Sequence, residues 1–199
     1  IEAFSAAADP TKDPQDVLFN QLHSISVDRA TGRLYVNAIG ASPEPPVKFN
    51  VNIQALVGAV DPATRAEVPA EHVNLNDLMK VETQPAEPFN GTLVRAFLAD
   101  TVDMAIRNGV VVFVSRGGSF AIRGAFDGAG RLTLLASAST PPVRVPTGNI
   151  PSGVVMGASG TRAYVNADVD QTVTVIDLST KHEDRRGDRE RAAAGRRHD

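Results

Sequence analysis

Apolar residues in this chain alternate with polar ones at a period of two, in short runs broken by Gly, Pro, Asp and Asn. That period sends successive side chains to opposite faces of a strand. Ile25 and Val27 alternate with Ser24, Ser26 and Asp28, and Leu34 and Val36 alternate with Arg33, Tyr35 and Asn37. Between them Asp28-Arg29-Ala30-Thr31-Gly32 reads as a turn, with Gly32 free to take a positive φ. Residues 23–38 are therefore a predicted hairpin. Val102, Met104 and Ile106 alternate up to Asn108-Gly109, a strong hairpin signal. Val110–Ser115 and Ser119–Phe126 follow as strands around Arg116-Gly117-Gly118, and Asp127-Gly128-Ala129-Gly130 turns into Arg131–Leu135. A last set comprises Val143–Val145, Val154–Met156, Arg162–Asn166 and Thr172–Ile176, with a turn at Ala158-Ser159-Gly160.

Other segments interrupt the alternation. Residues 1–20 hold two Asp-Pro pairs and predict a loop with one helical turn near Asp16–Phe19. Ser42-Pro43-Glu44-Pro45-Pro46 makes 39–54 a long loop, because proline removes ladder donors. The strand signal returns at Ala55–Val60 and ends in Asp61-Pro62-Ala63-Thr64, a turn with Pro in its favoured second place. Arg65–Val73 is read as holding a strand, whereas Asn74–Val81 suits a short helix or a strand equally. Residues 84–92 are loop by composition, and Leu93–Leu98 is ambiguous.

The strand units repeat. Tyr35-Val36-Asn37-Ala38 recurs as Tyr164-Val165-Asn166-Ala167, and Phe113-Val114-Ser115 aligns with the same place in the middle copy. Val57–Thr64 matches Val173–Thr180, each with an Asp heading a turn, and Phe126-Asp127-Gly128 keeps that ending. Strand, turn, strand, turn, strand, Asp-headed turn, strand is the blade of a β-propeller. A single blade leaves both faces bare, so several must stack. The expected fold is all-β: propeller-like four-stranded antiparallel blades, about three copies, in an incomplete propeller. Residues 1–22 are expected to be an N-terminal loop or the end of a preceding blade. Residues 23–180 form a partial propeller with blades near 23–75, 101–145 and 150–180. Residues 181–199 form a charged, disordered tail, with twelve of nineteen positions charged.

The stretch 147–180 resembles the YVTN β-propeller repeat through Pro151, Gly153, Val154, Gly160, Tyr164, Val165, Asn166, Val173, Val175, Ile176, Asp177 and Thr180. Ser159 stands where that motif usually has Asp. The resemblance implies a bacterial, periplasmic or secreted setting. Proteins of this kind occur alone or coupled to a c-type cytochrome or di-haem peroxidase-like domain. Haem c would then sit in a separate domain, with no cofactor held by this chain. The implied partners are another protein, that cytochrome domain, or the missing blades of the propeller.

Composition bounds the rest. The chain has no Trp and no Cys, and 29 of its 199 residues are Gly or Pro. Without Cys, disulfides, thiolate catalysis, Cys-ligated zinc and Cys-x-x-Cys-His haem attachment are excluded within it. The net charge is −3, and the tail contributes an excess of two basic residues, so the remaining body is acidic. Such a body has no electrostatic footprint for nucleic acid. No apolar run is long enough to span a membrane as a helix. The chain opens on Ile1 without a signal peptide, and the expectation is a segment of a longer product.

Candidate chemistry is sparse. His23, His72, His182 and His198 have no metal-ligand spacing. Ser115, Ser152 and Ser159 lie outside any Gly-x-Ser-x-Gly elbow. Asp61, Asp127 and Asp177 read as turn-heading residues that accept backbone N–H groups. Arg116, Gly117 and Gly118 form a glycine-rich turn whose amides could make an anion-binding nest. No catalytic or metal residue is assigned. The leading expectation is a protein- or ligand-binding scaffold, with function on loops such as 39–54 and 76–100. The propeller part of a haem electron-transfer protein and a lactonase-like propeller hydrolase are the alternatives.

Overall fold

The computed structural model describes residues 3–5, 16–42, 53–83, 97–127, 130–134, 144–179 and 190–191. It contains three antiparallel sheets in chain order. The first runs β1 (Ala3–Ser5), β2 (Asp16–Val27), β3 (Leu34–Ala41), β4 (Ile53–Asp61) and β5 (Ala66–Glu67), and β6 (Val73–Asn74) also pairs with β4. The second holds β7 (Thr101–Arg107), β8 (Val110–Ser115), β9 (Phe120–Phe126) and β10 (Leu132–Thr133), with β11 (Arg144–Pro146) also on β9. The third is β12 (Pro151–Met156), β13 (Arg162–Ala167), β14 (Thr172–Asp177) and β15 (Glu190–Arg191).

Local turn chemistry sets each hairpin. Asn108 (φ 52°) and Gly109 (φ 74°) are both left-handed, matching the twist of the strands they join. Gly32 (φ 75°) and Gly160 (φ 74°) close the corresponding turns of the first and third sheets. Asp61 and Asp177 accept backbone N–H groups two residues on, from Ala63 and Ser179 at 2.9 Å each. Asp127 accepts from Arg131 N at 2.9 Å, four residues on.

The sheets stack face to face. Tyr35, Ala55, Val57 and Ala59 of the first sheet pack with Met104, Val111, Phe113 and Ile122 of the second. Val112, Val114 and Ala121, on the other side of the second sheet, pack with Val154, Ala163, Val165 and Ile176 of the third. The second sheet is thus buried on both faces. This explains why Val110–Val114 is a continuous apolar run rather than an alternation. The first long strands, β2, β7 and β12, make the most extensive contacts from sheet to sheet.

Several expectations change. Asp16–Phe19 is extended, the start of the twelve-residue strand β2, and not a helical turn. Val17 and Phe19 there cover Leu56 on the far side of the first sheet. Residues 66–74 divide into β5, a 3₁₀ turn at Pro69–Glu71 and β6. The ambiguity after them resolves as helix α1 (Leu75–Thr83). Asn74 caps it, its Oδ1 accepting from Asn76 N at 3.0 Å and Asp77 N at 3.3 Å. Asn76 then holds the returning chain by exchanging bonds with Leu98 N (2.7 Å) and Leu98 O (3.2 Å). Of the tail, Glu190 and Arg191 pair with Val173 and Thr172. Its other residues, and most of the loops 39–54 and 84–96, lie outside the described residues.

Register corrects the repeat alignment. Each first strand carries an irregularity at one matching place: His23 is skipped between Leu22 and Ser24, Val102 between Thr101 and Asp103, Ser152 between Pro151 and Gly153. Just past it the pairs are Ser24 with Asn37, Asp103 with Val114, and Gly153 with Asn166. Val114, not Ser115, therefore matches Asn37 and Asn166. Val112, not Phe113, stands where Tyr35 and Tyr164 stand.

Candidate binding surface

All the bulges lie at one end of the sheets, and the connections 41–53, 116–119 and 168–171 leave from it. Here the seam between the first two sheets is polar. Asn37 Nδ2 donates to Thr101 O at 3.0 Å, and Ser115 Oγ donates to Ala99 O at 2.7 Å. Ser24 Oγ, Asn37 Oδ1 and Thr101 Oγ1 are buried beside these bonds without a protein partner. At the mouth of the seam His23 Nε2 lies 3.8 Å from Asp100 Oδ1. The other Asp100 oxygen accepts from Arg116 Nε at 2.7 Å. Asp100 is held at φ 54°, a conformation that Asp tolerates better than most residues.

The Arg116-Gly117-Gly118 turn sits at this mouth. Arg116 N donates to Asp100 O (2.9 Å) and Gly117 N to Ala99 O (3.1 Å). Two of its amides and one guanidinium N–H are thus engaged with the segment before β7. A side chain at Gly118 would strike the Phe120 ring, so the turn is packed closely from beneath.

The third sheet has its own polar group at the same end. Asn166 Nδ2 donates to Ser152 Oγ (2.7 Å) and Asp168 Oδ1 (3.1 Å), and Ser152 Oγ donates to the same Asp168 oxygen at 2.8 Å. Asp170 accepts from Asn149 N at 2.9 Å and Asn149 Nδ2 at 3.0 Å. Ser115 and Ser152 are therefore bonded to a carbonyl and a carboxylate, and neither is shown beside a histidine. His72 packs edge-on against Phe19, with ring centroids 5.3 Å apart. His182 and His198 lie outside the described residues. Among the described residues no three His, Asp or Glu side chains gather as metal ligands do.

At the opposite end Arg33 bridges two carboxylates, Glu71 at 2.9 Å and Asp61 at 3.1 Å. Tyr35 OH donates to the other Glu71 oxygen at 3.3 Å, and its ring lies 4.8 Å from that of Phe126. Burial, reinforced by the Glu71 carboxylate, pushes the Tyr35 phenol up to about 12. The Asp61 carboxyl is held below its ordinary value, first by the Ala63 N–H and then by Thr64 and Arg33. This network ties the first hairpin to the 3₁₀ turn. Sequence reading missed it, since Arg33 and Glu71 carry no motif.

Two stretches of apolar surface lie elsewhere, on the outer faces of the stack. On the first sheet Leu22, Ile25 and Val27 are exposed; on the third, Val155 and Val173. Among the described residues no sheet lies against either face.

No family model matches the chain, and no curated protein matches it either. Solved structures do. Hydrazine synthase from Kuenenia stuttgartiensis superposes with a TM-score of 0.59 at 14% identity, over 84% of this chain and 48% of that one. The chain thus spans about half the length of that structure. A functionally unknown protein from Desulfotomaculum acetoxidans shares 13% identity over 83% of this chain and 56% of its own. Its TM-score of 0.32 carries no weight for the fold. No helix among the described residues is long and apolar enough to cross a membrane. The likeness to hydrazine synthase concerns the fold alone; with the antiparallel sheets it shows a mainly β chain whose stacked sheets fit a propeller-like arrangement.

Proposed function

We propose that the chain is a non-catalytic β-propeller module, three blades of an incomplete ring, that serves as a scaffold for a protein or ligand partner. The observation that carries this reading is how the polar groups of the bulged end are used. Asp100, Arg116, Ser115, Ser152, Asn166 and Asp168 bond to one another or to the backbone, which rigidifies the platform. A nucleophile would instead need an accessible hydroxyl beside a positioned base, whereas the unpartnered hydroxyls at this end, Ser24 Oγ and Thr101 Oγ1, are buried in the seam. Rigid sheets with loops at one end are how such folds present binding surfaces. The bulged end, with the loops that leave it, is the contact surface in this reading. A periplasmic or secreted setting, a haem-bearing cytochrome or peroxidase-like domain outside this chain and a lactonase-like activity rest on the sequence resemblance.

Two measurements test the scaffold. A photocrosslinking residue at Arg116 should give adducts with a bound partner in the producing cell, while one at Asn108, at the other end, should not. Turnover of a γ-lactone by the purified chain, lost in Asp100→Asn, would replace the scaffold with a hydrolase.

A further inference from the structure

The two seams between sheets are built alike at the bulged end but are closed differently. In the second seam one side chain makes the crossing. Asp103 Oδ1 accepts from Met104 N at 2.9 Å, and Asp103 Oδ2 accepts from Val154 N of the third sheet at 2.8 Å. Register places Ser24 of the first sheet where Asp103 stands in the second, since each is the first paired residue past its bulge. A serine hydroxyl stands one bond nearer the backbone than a carboxylate oxygen does. Ser24 Oγ makes no such crossing and is buried without a protein partner.

Two further oxygens face the same place. Ser24 and Asn37 are directly paired, so their side chains share one face, two residues along from the pair Ser26 and Tyr35. That face looks into the first seam, because Ser26 Oγ donates to Met104 O at 2.6 Å. On the other wall Thr101 pairs with Ser115, which lies two residues beyond Phe113 and shares its face toward the first sheet. The bulge turns Thr101 inward: Val102 and Asp103 both go to the third-sheet side. Asn37 and Thr101 are each 0% exposed. The bond from Asn37 Nδ2 to Thr101 O at 3.0 Å holds the two residues in contact. It also fixes the orientation of the amide, since a backbone carbonyl only accepts. Asn37 Oδ1 therefore needs a donor, and Thr101 Oγ1 and Ser24 Oγ are buried in the same seam, likewise unpartnered.

We propose that Ser24 Oγ, Asn37 Oδ1 and Thr101 Oγ1 form a binding site for a single water molecule that joins the first two sheets. Water donates one proton to Asn37 Oδ1, and its other proton and its lone pairs serve the two hydroxyls, which rotate to suit. It supplies the reach that Ser24 lacks beside Asp103. One molecule thus relieves three buried polar atoms. A metal ion suits the site less well. Its oxygens are all neutral, and the carboxylate at the mouth, Asp100, is engaged by Arg116 at 2.7 Å and lies 3.8 Å from His23. Divalent cations take carboxylate ligands. The inference goes beyond the scaffold reading and stands whichever partner the bulged end takes.

A high-resolution crystal structure of the unsubstituted chain should show one density peak within hydrogen-bond distance of Ser24 Oγ, Asn37 Oδ1 and Thr101 Oγ1. Urea unfolding gives an independent readout. Ser24→Ala and Thr101→Val each remove a hydroxyl with little change of shape. Each should lower the folding equilibrium constant about three- to tenfold, because the water loses a bond. The double variant should lose less than the product of the two factors, since both act through one molecule. A hydroxyl with no partner gives the opposite sign: its removal leaves the constant unchanged or raises it. That sign, factors that simply multiply, or a structure in which the three oxygens bond one another with no peak between them overturns the proposal. Stability that rises with sodium or potassium chloride, but not with choline chloride at equal ionic strength, also overturns it by putting a monovalent cation in the place of water.

Discussion

Tyr35 shows how much a single side chain does here. It is 5% exposed, stacks on Phe126, and sends its hydroxyl to Glu71. Its pKa rises from 10.0 to about 12, so the folded state favours the protonated phenol. That contribution is complete below the ordinary value of 10.0 and is lost as pH rises through about 12. The chain should therefore lose stability across this alkaline window. In Tyr35→Phe the loss should shrink, because no phenol remains to ionise at the site. Unfolding in urea at a series of pH values from about 9 to 12 measures both slopes.

Strands and turns divide differently between local and tertiary control. Gly32 and Gly124 illustrate the two cases. At Gly32 a Cβ would meet nothing within 4 Å, but φ is 75°. Gly32→Ala should cost about 1 kcal/mol through the backbone alone, and Gly32→Asn less. Gly124 lies mid-strand, and a Cβ there would sit 2.9 Å from Thr133 O and 3.1 Å from Val111 Cγ1. Gly124→Ala should cost more than Gly32→Ala, since a paired backbone cannot move aside. Denaturant midpoints of the three variants test the order. The first glycine was legible as a turn residue. The second was not, because nothing in its neighbouring sequence records the approach of β10. The repeat alignment failed for a related reason. Val110–Val114 has no polar positions to mark a face, so a shift of one residue cost the sequence reading nothing, although it exchanges the two faces of a strand.

At the scale of the molecule, the second sheet is shared by both cores, and Phe113 is fully buried within the first. Phe113→Ala should cost about 3–5 kcal/mol through lost transfer energy and an unfilled cavity. Val165→Ala, in the second core, should cost less because fewer atoms are removed. If the three sheets unfold as one unit, each variant should lower a single transition rather than split it, which calorimetry and tryptic susceptibility would show.

The sequence by itself determined the all-β class, the main hairpins and their turn residues, because strand period and left-handed turn chemistry are local properties. It also exposed the repeat through Tyr35-Val36-Asn37 and Tyr164-Val165-Asn166. Tertiary structure decided which face each strand turned inward, that the segment open to helix or strand became α1, and how Asn37, His23, Asp100 and Arg116 meet at one seam. Those outcomes depend on residues brought together from separate sheets, and on a register that only the bulges in β2, β7 and β12 fix.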